Sequence, residues 1–63
     1  MPVAELAPAL AYLVELCVRT GDPEAARSAH ERLADLAAAD LAPADRNVAD
    51  VALTESRAVL PVP

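Results

Sequence analysis

Phenylalanine, tryptophan, isoleucine and lysine are missing from this 63-residue chain, and glycine, cysteine, tyrosine and histidine occur once each. Without large aromatics the fold can bury little apolar area. Sixteen residues are alanine, which favours helix but contributes little buried surface. A single cysteine excludes an internal disulfide. His30-Glu31 begins like the zinc motif His-Glu-x-x-His, but Ala34 stands where the second histidine is required. All five basic residues are arginine, which fits a high-GC, bacterial coding sequence. No basic region precedes the apolar stretch from Leu6 to Val18, which Pro8 and Glu15 interrupt and which is too short to span a bilayer. No secretory signal is expected, and the cytoplasm is the expected location.

Charge narrows the partners further. The formal net charge is −5, with carboxylates scattered along the chain, which argues against nucleic acid and anionic membrane surfaces. Arg27 and Arg32 are the only basic residues of a would-be recognition helix. Glu24, Glu31 and Asp35 flank them, so phosphate repulsion dominates. A domain of this size buries only roughly 60% of its unfolded surface and usually needs a staple. With no disulfide and no metal cluster in view, self-association or a larger protein partner is what remains.

Helix punctuation is the clearest positive signal. Thr20-Gly21-Asp22-Pro23-Glu24-Ala25-Ala26 closes one helix and opens another. Gly21 suits the left-handed conformation that ends a helix, Asp22 can cap the next, and Pro23 fits its first position. The reading is all-α: one small domain over 1–63, an antiparallel hairpin with a third helix packed across it. The helices are expected over about 8–20, 23–39 and 43–59, with a tail over 60–63 set by Pro61 and Pro63. In the first helix, Leu6, Leu10, Leu13, Val14 and Cys17 share one face at 100° per residue. In the second, Ala26, Ala29, Leu33, Leu36 and Ala37 face inward with His30 on the flank. The third is less regular: Val48, Ala49, Ala52 and Val59 align, Asp45 and Glu55 intrude, and Val51 and Leu53 lie on opposite flanks.

The first two helices resemble a single tetratricopeptide-type repeat over roughly residues 10–41. Leu13, the Gly21-Asp22 turn, Ala26 and His30 fall on positions which that family favours. Val14, Leu10, Leu33 and Ala38 depart from it, and Asn47 and Glu55 deny a second repeat. The resemblance implies hairpin geometry, and one unit does not build the family's concave groove.

Candidate chemistry is sparse. Cys17 and His30 could form a nucleophile-base pair, but Cys17 lies mid-stripe on an apolar face, where a reactive thiolate is not expected. Glu31 and Asp35 are one turn apart yet interleaved with Arg27 and Arg32 on a solvent face. The series Asp35, Asp40, Asp45, Asp50, Glu55 rotates away from any common side of a helix. No catalytic residue, cofactor, metal or small-molecule substrate is assigned, and a pocket of the usual roughly 300 Å³ is not expected. A non-catalytic interaction or accessory module is expected instead. Its candidate interface is Tyr12 and Leu16, an i,i+4 pair off the main stripe, with Arg19, Val51 and Leu53. Tyrosine is favoured at interface hot spots; alternatively the third helix folds over Tyr12 and Leu16 within the monomer. A regulatory fragment resembling the repeat regions of bacterial transcriptional regulators, or a small subunit integrated into an enzyme complex, are the other readings.

Overall fold

The computed structural model describes residues 2–60, and among them forms three helices and no strand. These are α1 (Val3–Arg19), α2 (Pro23–Ala37) and α3 (Pro43–Val59). The tail expected over 60–63 falls, apart from Leu60, outside the described residues.

Helix α1 starts five residues earlier than the expected boundary at Pro8, which lies inside it. Pro2 opens the helix, its carbonyl accepting from the Glu5 and Leu6 amides at 3.0 and 2.9 Å. Pro8 has no N–H to offer the Ala4 carbonyl, a defect worth about 3 kcal/mol in a regular helix. Ala4 is exposed, so water can satisfy that carbonyl. The early turn also brings Val3, Leu6 and the fully buried Ala7 onto the core. Tertiary burial wins over the local penalty.

The hinge forms as its residues dictate. The Gly21 amide donates to Val18 O at 3.2 Å and the Asp22 amide to Cys17 O at 2.9 Å, a Schellman closure. Gly21 sits at φ 77°, the left-handed conformation that this closure needs. Asp22 Oδ1 then accepts from the Ala25 amide at 3.1 Å, and Pro23 opens α2. Pro43 likewise opens α3, after a link in which Leu41 packs against the core.

Two buried clusters fix the helix directions. Ala7 and Leu10 meet Leu33, Ala37, Ala49 and Ala52; Val14 meets Ala26 and Ala29. The start of α1 therefore lies beside the end of α2 and the start of α3. The chain runs up, down and up, with α3 packed on both helices of the hairpin and most closely on α1. Six of the nine buried apolar residues are alanine, leaving Leu10, Val14 and Leu33 as the bulk of the core.

Helix α2 presents the inward face read from its sequence: Ala26, Ala29, Leu33 and Ala37 are buried, with Leu36 partly so. Helix α1 is rotated from its expected stripe. Ala7 takes a central place, and Leu13 is 40% exposed. In α3, Val59 is turned outward, and Ser56 joins Ala49 and Ala52 on the buried stripe.

Candidate functional site

Helix α1 is apolar nearly all round. Only Glu5, Glu15 and Arg19 of its 17 residues are charged. Its inner side supplies Ala7, Leu10 and Val14 to the core. Opposite, at alternating steps of four and three, stand Glu5, Ala9, Tyr12, Leu16 and Arg19, all exposed. Tyr12 is 63% and Leu16 42% exposed, with Leu13 beside them. Steps of this kind keep residues on one side of a helix. The alternative in which α3 buries Tyr12 and Leu16 is therefore overturned: among the described residues α3 lies beside Pro8, Ala11 and Glu15, Tyr12 borders the same groove, and both Tyr12 and Leu16 stay exposed.

Where α1 and α3 meet, a surface groove of about 460 Å³ is lined by Pro8, Ala11, Tyr12, Glu15, Glu55, Ala58 and Val59. The expectation that no pocket would reach roughly 300 Å³ is thus incorrect. The cause is the rotation of α3, which turns Ala58 and Val59 toward the rim rather than the core. Among the described residues, Glu15 and Glu55 are the charged groups of this groove, and no basic side chain lines it.

The remaining interface candidates divide. Arg19 is exposed and pairs with Glu15 at 3.0 Å, one turn back. Val51 is 51% exposed on α3, in a depression that it shares with Pro8 of α1. Leu53 is partly buried against the core of its own chain. Tyr12, Leu16 and Arg19 thus share one face of α1, while Val51 and Leu53 belong to α3. Leu13, assigned to the core on sequence, belongs beside Tyr12 and Leu16; the sequence marks it as apolar but not which way it faces.

The single histidine is held elsewhere. His30 Nδ1 lies 2.6 Å from Ser56 Oγ, joining α2 to α3. Serine and histidine are the partners of hydrolytic catalysis, but Ser56 is fully buried, so no substrate reaches its hydroxyl. Ser56 was missed on sequence because it is polar, though it continues the steps from Ala49 and Ala52 by four. Cys17, partly buried, packs beside Val14, Ala26 and Ala29; the hydrogen-bonding partner of His30 is Ser56 instead. Among the described residues, no three His, Cys, Asp or Glu side chains converge, and no helix is long and apolar enough to cross a membrane.

Comparison of the chain with protein-family models, with curated proteins and with solved structures finds no match in any of the three.

Proposed function

We propose that this chain is a small, non-catalytic protein–protein interaction or accessory module that docks through the outer face of α1. The carrying observation is the helix itself. Helices apolar on every side belong in a protein interior, and among the described residues α1 meets its own chain on one side only. Tyr12, Leu13 and Leu16 form an aromatic and aliphatic patch of the kind that anchors interfaces. The acidic remainder of the surface discourages unspecific encounters with nucleic acid and anionic membranes. A cytoplasmic setting in a bacterium, and a hairpin resembling a single tetratricopeptide-type unit, belong to this reading.

A photo-crosslinking residue at position 12, expressed in the native host, tests it. Discrete adducts are expected from position 12 and not from position 28, an exposed site on α2. Equal or absent labelling at both positions would remove the proposal.

A further inference from the structure

We infer that the occupant of this face is a second copy of the chain, whose α1 lies antiparallel across the first about Tyr12, so that Glu5 of each copy meets Arg19 of the other. The inference rests on the docking role of α1 proposed above and names its partner.

Symmetry carries the argument. Glu5 and Arg19 are the charged residues of the exposed strip and stand equally far from Tyr12, seven residues to either side. At about 1.5 Å per residue, each lies about 10 Å along the axis from the ring. Reversing one helix against the other about Tyr12 sets two opposite-charge pairs at the two ends of the contact. The same register places Leu16 of one copy over Pro8 and Ala9 of the other, large against small, which lets the axes approach closely. Such a contact is isologous: one patch, complementary to itself. A parallel pairing would oppose Glu5 to Glu5 and Arg19 to Arg19, so the charges select direction.

Electrostatics favours this face over the others. Glu5 and Arg19 cancel, so the excess charge of −5 lies entirely elsewhere on the chain. Two copies brought together through the groove holding Glu15 and Glu55 would press carboxylates against carboxylates, and pairing through α2 would have to cover a face crowded with charge of both signs, Glu24, Arg27, Glu31, Arg32 and Asp35. Across the outer face of α1 neither applies. Arg19 is free to turn, because its bond to Glu15 is a solvent-exposed ion pair with side chains 71% and 40% exposed, and such pairs contribute little. One helix face about 25 Å long is a small interface, so dissociation in the micromolar range is expected.

Sedimentation equilibrium of the purified chain tests this, with circular-dichroism melts confirming that each variant folds. Glu5→Arg and Arg19→Glu alone should each weaken dimerisation about tenfold, by turning two attractions into two repulsions. A 1:1 mixture of the two should recover wild-type affinity. The double variant E5R/R19E should dimerise like wild type yet not mix with it. Leu16→Glu changes an exposed position near the end of α1 and should be folded and monomeric. Preferential mixing of wild type with the double variant would mean a parallel pairing and overturn the proposed geometry. A wild-type chain that is monomeric at every concentration, or an L16E chain that dimerises unchanged, would overturn the second copy as occupant. If position 12 then crosslinks only to a different protein, the docking role of α1 stands and the self-pairing fails.

Discussion

The His30 imidazole and the Ser56 hydroxyl form the one side-chain hydrogen bond described between two helices, at 2.6 Å. It ties the middle of α2 to the last turns of α3, across the pair of helices that packs least closely. Ser56 is fully buried and its neighbours on the stripe are alanines. A buried hydroxyl without a partner would cost about 1–3 kcal/mol. The imidazole supplies the partner and closes α3 onto the hairpin.

Ser56→Ala and His30→Ala should each cost about 1 kcal/mol. The double variant should cost little more than either single one, since one bond is lost in all three. Urea denaturation of the four proteins checks this. Strict additivity of the two single effects would show that the bond contributes nothing.

At the hinge, Gly21→Ala should destabilise by about 1–2 kcal/mol. A Cβ there would meet no atom within 4 Å, so the penalty comes from the positive φ and not from crowding. Asp22→Ala should cost about 1 kcal/mol through loss of the cap on Ala25. Thermal melts of the two variants read both values, and a neutral Gly21→Ala would contradict the backbone argument.

Pro8→Ala should be stabilising, by about 1–3 kcal/mol. The proline ring is exposed on α1 and the substitution returns an N–H to the Ala4 carbonyl. A drop in melting temperature would show instead that the ring's place in the groove beside α3 matters more than the helix defect.

Leu33→Ala should remove about 3 kcal/mol, most of the stability that a domain of this size commands, and leave the chain only marginally folded at 25 °C. Leu13→Ala should cost under about 1 kcal/mol in dilute solution, where its side chain is 40% exposed. Far-ultraviolet dichroism distinguishes the two. Similar losses would place Leu13 in the core after all.

How much of this was legible depended on contrast along each helix. In α2, charges alternate with Ala26, Ala29, Leu33 and Ala37, so periodicity alone points the stripe inward. In α1 there is no such contrast. Apolar residues on all sides left the rotation undetermined by pattern, so Leu13 was placed inside while Ala7 was overlooked. The helix start was hidden for another reason: Pro8 reads as a boundary, and only the burial of Ala7 with Val3 and Leu6 shows why the helix passes through it. In α3, the core position of Ser56 depends on an imidazole 26 residues away, which no local window contains. Tyr12 and Leu16 stood out as an off-stripe pair, whereas their exposure depended on where α3 came to rest. The groove of about 460 Å³ depended on the same placement.

Tyr12, the sole aromatic residue, is its own reporter for the claim that another copy covers α1. Acrylamide quenching of its fluorescence, followed from about 1 µM to about 1 mM chain, measures access to the ring at the centre of the face. Self-pairing predicts a quenching constant that falls as concentration rises in wild type and stays high throughout in Leu16→Glu. A wild-type constant that remains high and unchanged over the whole range would contradict it.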